Sequence, residues 1–566
     1  MDIKQQIINC FDAQVAKEFE LSVSKISSPP NTEMGDFCLP TFVYAKKLGK
    51  NPMQIAEIIT ENFNYNSVVE STKVVGGYLN FFLNKKIVSL KIVDEILNNK
   101  NAFAKSTEGN GKTVCIDFSS VNLAKYMHIG HLSTTVIGHV LRNIFNHLGY
   151  KTVAINYIGD YGTPFGKMIT AYKMWGNEKE LEARGVDHIQ DLYIKFCQQA
   201  EIDPTLDDKA RECFLKIENK DPETYAIFKK FIEISINETK RIYSLLNISF
   251  DSWRGESYYS DKMDAIVDEI ASKGLLKDSE GAKIVDLSEH NLGACLIKKK
   301  DGSSLYATRD LAACEDRYKN YKFDKSLYVT DVSQKLHFAQ FFKVLELLGK
   351  PYSQNLHHIY YGRFSLPEGK IASRKGKQAL LRDILDYSIS KTAQIVDNNS
   401  NLSQQEKAEI AKSVGVGAVI FSAIKNEKIK DVVFDLDEAL DFEGETSPYI
   451  QYTHARCCSI IRKADKTNIT SSNLDFSQID NATSYELLKS LNRFVEAVEN
   501  AGKKFEPCLI SRSLIDISKC FNKYYSNNRV VENGNVNATR LAVVEATKCV
   551  LNEGLSILGI DAPHKM

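Results

Sequence analysis

The sequence predicts an α/β protein: a parallel sheet at its centre, an α+β module before it and an all-α domain after it. Three observations predict this. Residues 113–157 run from a β-rich stretch through a helix pattern into a second β-rich stretch. Further strand candidates alternate with helices downstream. From Ser403 to Met566 nearly the whole chain has helical spacing. At 566 residues and roughly 100–200 residues per domain, three or four domains are expected.

The first unit, 1–105, carries a helix pattern from Ile3 to Phe19, a second from Met53 to Phe63, and a short strand, Tyr78 to Leu83, after Gly76-Gly77. Phe103 to Lys112 is small, polar and glycine-bearing, which suits a linker. The unit at 106–385 opens on the β-rich run Thr113 to Phe118, followed by a polar stretch, Ser119 to Met127. Leu132, Val136, Val140, Leu141, Ile144 and Leu148 then recur at helical spacing, and Gly149 ends the helix as a residue free to take positive φ. Lys151 to Tyr157 returns to strand. Such a unit requires parallel pairing with a right-handed crossover, and ligands of these sheets bind where strands end and helices begin. Residues 170–250 are charged and helix-biased and read as a helical insertion. Ala282 to Leu287, Cys295 to Ile297, Lys325 to Val329 and His357 to Tyr361 are the remaining strand candidates. Residues 386–450 read as a helical connecting segment and 451–566 as a helical domain, with a polar break around Lys466 to Asp475 and a smaller one at Asn533-Gly534.

Lysine plus arginine and aspartate plus glutamate both number 72. The molecule as a whole is therefore no polybasic nucleic-acid binder, and only charge concentrated on one face would serve that purpose. The first residues lack the order of a signal peptide. The longest apolar run, Val414 to Ile424, is about half the ~20 residues that span a bilayer. The 12 cysteines include no CxxC pair and one adjacent pair, Cys457 and Cys458, and read as reduced thiols filling cores. A cytoplasmic protein is expected, with no membrane partner and no tightly bound metal.

Two motifs carry chemistry. His128-Ile129-Gly130-His131 follows a strand and opens a helix. A helix N-terminus offers free N–H groups and partial positive charge to phosphate. Gly130 leaves room for a flat base, two imidazoles three residues apart can reach one polyphosphate, and Lys125 adds charge upstream. The second motif, Lys370 to Lys377, sets four cations among small residues between a strand candidate and a helix, which suits a developing pyrophosphate. In isolation, each motif is equally a solvated surface segment.

Together they resemble the HIGH and KMSKS signatures of class I aminoacyl-tRNA synthetases. The first matches fully. In the second, Ile371 and Ala372 replace Met and Ser, and Ser373 stands where the second Lys would be, with Arg374 and Lys375 adjacent. Phe118 to Lys125, Asn156 to Gly166, Phe250 to Ser257, Leu305 to Ala312, Tyr328 to Phe338, Phe442 to Arg456 and Arg540 to Met566 resemble, in order, the arginyl-tRNA synthetase family. Val121 departs from that family's usual Pro or small residue.

The resemblance implies a Rossmann-like catalytic domain, a tRNA-gripping N-terminal module and a helical anticodon-binding domain. It implies an arginine–tRNA ligase, with L-arginine, ATP and the arginine-accepting tRNA as partners, no DNA, and ATP arriving with Mg²⁺. A monomer is expected. Lys125, His128, His131, Lys370, Arg374 and Lys375 would serve catalysis, and Gly130 and Ser373 would join them around ATP. A guanidinium, planar and always charged, calls for carboxylates in its plane. Glu256 and Asp310 are the candidates, with Tyr306 one helical turn before Asp310. By resemblance Tyr306 and Asp310 read the side chain, while Ser120, Asn122, Gln334 and His131 handle the α-amino and carboxylate end. Asp117 reads first as a strand-end residue that orients a neighbour. For tRNA the candidates are Arg456, Arg462, Lys463, Tyr525 and Arg529, where cations lie among aromatics that can stack unpaired bases. The altered second signature is the one feature favouring a non-catalytic relative.

Overall fold

The computed structural model describes residues 2–29, 31–123, 125–299, 306–367, 380–397, 402–464, 474–479 and 481–566. Counts below refer to these residues. The N-terminal module is a three-stranded antiparallel sheet of β1 (Phe37–Pro40), β2 (Val69–Val75) and β3 (Tyr78–Leu83) in the order β1-β3-β2, backed by helices. Gly76 and Gly77 turn β2 into β3 with φ of +58° and +82°, the paired positive values of a mirror-image hairpin turn. The helix expected from Ile3 to Phe19 is two helices, Ile3–Ile8 and Ala13–Glu18. The break has a cause in Asp12, whose carboxylate accepts the Gln14 amide at 2.8 Å and caps a new helix. Phe11, freed from helix, bridges to Phe63.

The central sheet contains β4 (Thr113–Asp117), β5 (Lys151–Ile155), β9 (Lys325–Asp331) and β10 (Leu356–Tyr361), all parallel, in the order β10-β9-β4-β5. Their middle residues are buried on both faces, as near-continuous apolar runs of parallel strands require. The chain leaves β4 toward β5 on one side, while β9 flanks β4 on the other. The crevice where the order reverses, at the strands' C-terminal ends, is where ligands of open α/β sheets bind. Helix His131–His147 crosses from β4 to β5, and its Thr134 hydroxyl donates to the Val329 carbonyl of β9 at 2.6 Å.

The candidates Ala282 to Leu287 and Cys295 to Ile297 do form strands, but in a separate antiparallel sheet of β6 (Leu276–Ser279), β7 (Ala282–Asp286) and β8 (Ala294–Lys298). Five helices from Thr163 to Leu245 follow β5. The apolar run ending at Ile424 lies buried in helix Gln404–Ile424, and no helix among the described residues is long and apolar enough to cross a membrane. Helices Ser447–Lys463, Ala482–Lys504, Cys508–Asn527 and Ala538–Ile557 build the C-terminal domain, with a two-stranded hairpin around Asn533-Gly534. Most of the polar break at 466–475 lies outside the described residues. Glu553 in the last helix joins three parts of the molecule: its Oε1 accepts from the Ala104 amide at 3.0 Å and lies 2.7 Å from His147 Nε2.

Candidate active site

At the rim of β4 the backbone turns through Ser119 and Ser120, whose φ values of +69° and +44° are left-handed. Each such non-glycine residue costs about 1–3 kcal/mol and persists only where its surroundings hold it. The Ser119 amide donates to Thr134 Oγ1 at 3.0 Å, its hydroxyl bonds Thr135 and Tyr243, and Ser120 Oγ donates to Asp117 Oδ1 at 2.8 Å. Asp117 is buried and pairs with Arg317 at 2.7 Å. Burial raises its pKa and Arg317 opposes the rise. Asn122, exposed, bridges to Gly159 beyond the ends of β4 and β5, where a Cβ on Gly159 would stand 2.1 Å from Asn122 Oδ1. Lys125, also exposed, sits over the Tyr193 ring of the helical insertion at 5.8 Å.

His128 and His131 lie with ring centres 3.9 Å apart. The Gly130 amide donates to His128 Nδ1 and the His128 amide to His131 Nδ1, each at 3.1 Å. A nitrogen that accepts an N–H carries no proton, so both rings hold theirs on Nε2. Burial lowers both pKa values, that of His131 to about 4. At neutral pH the pair is therefore two uncharged Nε2–H donors rather than two cations. The room left by the missing Cβ of Gly130 is taken up by the His128 ring, whose Cε1 would lie 2.9 Å from it.

Glu256 and Asp310 face one region but have different partners. Glu256 lies 3.3 Å from Arg309, which also packs over the Tyr161 ring. Burial lifts its pKa to about 7, against the pull of Arg309, and the negative charges of Asp310 and Asp160 push the same way. The Glu256 carboxylate is thus not free, as the pattern of residues suggested, but shared with a cation of the protein. Asp310 Oδ2 bonds His337 Nε2 at 2.7 Å, while its Oδ1 has no hydrogen-bond partner among the described residues. Tyr157 feels both acids: its buried hydroxyl is unbonded among the described residues, and its pKa is raised by burial, then by the two carboxylates. Tyr306 starts the helix Tyr306–Tyr321, one turn before Asp310, and its side chain lies outside the described residues. Gln334, exposed, ends the turn after β9, on the opposite lip of the crevice from Ser120 and Asn122.

Lys370, Ser373, Arg374 and Lys375 lie outside the described residues. The chain re-enters at Leu380, which pairs with His128, and the Leu381 amide donates to the Met127 carbonyl at 2.9 Å. The described chain thus resumes beside the histidine pair.

In the C-terminal domain Arg456 packs over Tyr452 and Tyr525, at 4.8 and 5.8 Å, and donates to Asn522. Lys463 is exposed. Arg462 donates to the His564 carbonyl at 3.0 Å, and Arg529 stands apart in an exposed pair with Glu532. Arg309, His337, Tyr157 and Asp160 were not singled out from the sequence. Asp160 accepts from the Ser257 amide and hydroxyl at 2.8 and 2.6 Å, next to Glu256 in the chain. The available signal was chemical: two acids in a dry crevice need a cation and donors nearby.

The family described as "tRNA synthetases class I (R), catalytic domain" matches residues 92–436, a "DALR anticodon binding domain" matches 450–566 and an "Arginyl tRNA synthetase N terminal domain" matches 1–83. The chain is 42% identical to arginine–tRNA ligases of Alkaliphilus metalliredigens and Clostridium perfringens, over the full length of each. Its fold is similar to that of the Thermus thermophilus arginyl-tRNA synthetase (TM-score 0.80, 24% identity, 98% of both chains) and the Plasmodium falciparum one (TM-score 0.82, 23% identity, 100% of this chain and 99% of the other). A catalytic-domain match over more than half the sequence, joined to full-length identity at that level, means that the chain belongs to the arginyl-tRNA synthetases of class I.

Proposed function

We propose that Asp310 and Glu256 receive the guanidinium of arginine and that His128 and His131 receive the phosphates of ATP, in one crevice at the reversal of the sheet. The observation carrying this reading is the Asp310 carboxylate, held through Oδ2 by His337, beside a desolvated Glu256, on the sheet rim that also bears two imidazoles locked as donors.

The reaction is that of an arginine–tRNA ligase. A carboxylate oxygen of arginine attacks the α-phosphorus of ATP, the bond to pyrophosphate breaks, and arginyl-adenylate remains. A ribose hydroxyl of the tRNA's terminal adenosine then attacks the acyl carbon, and AMP leaves. Neither step needs a protein nucleophile, so catalysis rests on alignment and charge stabilisation. His128 and His131 donate neutral hydrogen bonds to phosphate oxygens, with Gly130 at the helix start and Lys125 upstream. Lys370, Ser373, Arg374 and Lys375 close on the leaving pyrophosphate, a reading supported by the tether of Leu380 to His128. ATP arrives with its Mg²⁺, held by phosphate and water. Ser120 and Asn122 on one lip and Gln334 on the other hold the amino-acid end, and Tyr306 packs on the arginine stem.

Bringing in a guanidinium satisfies Asp310 Oδ1 and draws Glu256 into its charged form. An analogue lacking those donors leaves both acids unpaired, and sites of this type reject such analogues by roughly 10⁴. Arg456 and Tyr525 form a stacking platform for tRNA, with Arg462, Lys463 and the more distant Arg529 as further phosphate contacts. The enzyme acts as a cytoplasmic monomer. The test is arginine-dependent exchange of pyrophosphate into ATP, with and without tRNA, in the wild type and in Asp310→Asn. Exchange in the wild type and its collapse in the variant support the reading. An unchanged arginine KM in the variant removes Asp310 from the arginine site.

A further inference from the structure

The C-terminal domain brings together three side chains that the ligase reaction does not use. His454 and Cys458 lie one turn apart on the same face of helix Ser447–Lys463, both buried. The chain end returns over that face. Gln451 donates to the Asp561 carbonyl at 2.7 Å and Arg462 to the His564 carbonyl at 3.0 Å, which sets the His564 ring beside the other two. Cys458 Sγ is 3.5 Å from His564 Nδ1 and 3.8 Å from His454 Nε2, and the donor atoms of all three residues lie within 4.8 Å of one another.

These separations have a chemical meaning. With zinc–sulfur bonds of about 2.3 Å and zinc–nitrogen bonds of about 2.0–2.1 Å at tetrahedral angles, the sulfur-to-nitrogen edge is about 3.6 Å. The two edges observed bracket that value. The tautomer also fits. His454 Nδ1 lies 3.1 Å from the Pro563 carbonyl, which can only accept, so Nδ1 carries the proton and Nε2 keeps its lone pair; Cys458 Sγ stands almost as near Nδ1, at 3.9 Å, as Nε2, so ligation turns the ring to aim Nε2 at the ion. A metal-bound histidine is commonly oriented by a backbone carbonyl on its other nitrogen in this way.

We propose that Cys458 Sγ, His454 Nε2 and His564 Nδ1 bind one Zn²⁺-class cation, with the fourth position open to water on the exposed side of His564. A thiolate with two imidazoles selects a borderline-soft ion over Mg²⁺ or Ca²⁺. The ion would staple the chain end to helix Ser447–Lys463. The trio has no sequence signature, because the third donor comes from the opposite end of the domain and there is no CxxC spacing.

The test is titration of the full-length, chelator-treated chain with Co²⁺. The expected result is a sulfur-to-cobalt charge-transfer band with tetrahedral visible absorption, saturating at one equivalent and displaced by Zn²⁺. Cys458→Ser should abolish the band, and Cys520→Ser, at a half-buried thiol outside the trio, should keep it. His564→Ala alters an exposed side chain. It should weaken Zn²⁺ binding by more than the about 10–100-fold that loss of a supporting partner costs. No thiolate band in the wild type, a band that survives Cys458→Ser, or undiminished affinity in His564→Ala overturns the proposal.

Discussion

The two oxygens of Asp310 are used differently. One is held by His337 at 2.7 Å and orients the carboxylate, and the other has no hydrogen-bond partner among the described residues. Asp310→Asn keeps the shape and removes the charge, and should lower kcat/KM for arginine by the equivalent of about 2–5 kcal/mol. Steady-state exchange kinetics measure this, and an unchanged constant would refute the role. Glu256 makes a second, pH-linked prediction. Its carboxyl, lifted to about 7 by burial, is largely protonated below that pH and attracts a guanidinium weakly. Arginine KM should therefore rise as pH falls from 8 to 6, and Glu256→Gln should flatten that profile. Both acids were legible as carboxylates suited to a guanidinium. Nothing in their spacing revealed that Arg309 turns to Glu256 while its neighbour Asp310 turns to His337. Such pairings are decided by tertiary approach between distant segments.

At the scale of elements, the helix that starts at His131 depends on a close approach to β4. A Cβ on Gly138 would lie 2.2 Å from Cβ and Cγ of Phe118. Glycine in a helix interior costs about 1 kcal/mol relative to alanine, so Gly138→Ala would ordinarily stabilise. Here the clash is with atoms next to the β4 backbone, which cannot swing aside, and overpacking costs about 1–3 kcal/mol. The variant should be less stable by urea denaturation, and a gain in stability would show that the helix can slide outward freely. The strand–helix–strand unit was plain in the sequence because burial on both faces writes continuous apolar runs. The separate sheet of β6, β7 and β8 was not, because a short apolar run does not say which sheet it joins. The split of the first helix was signalled by Asp12, a good cap, inside an apolar periodicity that masks it.

For the whole molecule, acid should be destabilising. The rings of His131, His139, His358 and His454 have pKa values depressed by burial from an ordinary 6.5 to about 4. Unfolded histidine takes up a proton near 6.5 and the folded rings resist until about 4, so stability is present above 6.5 and is lost as pH falls toward 4. At about 1.4 kcal/mol per unit for a buried ring such as His139, the loss reaches about 3 kcal/mol. Glu256, Asp117 and Asp160, all raised by burial, act in the opposite sense. They are fewer than the depressed imidazoles. Denaturant midpoints measured from pH 7 to 4.5 should fall, and a flat profile would contradict the burial of these rings. On the RNA side, Lys463→Ala should weaken tRNA binding and reduce its salt slope by about 1 while leaving ATP binding unchanged. An unaltered slope would take that residue out of the contact. A neutral chain gives little notice of such a surface, since only the folded arrangement gathers Arg456, Tyr452 and Tyr525.

Glu553 has a mechanical meaning at this scale. It grips the far end of the 17-residue helix whose near end bears the two imidazoles, and a helix of that length is a stiff rod of about 25 Å. Through Glu553, the last helix and the sheet rim that carries His131 are thereby joined by one rigid element.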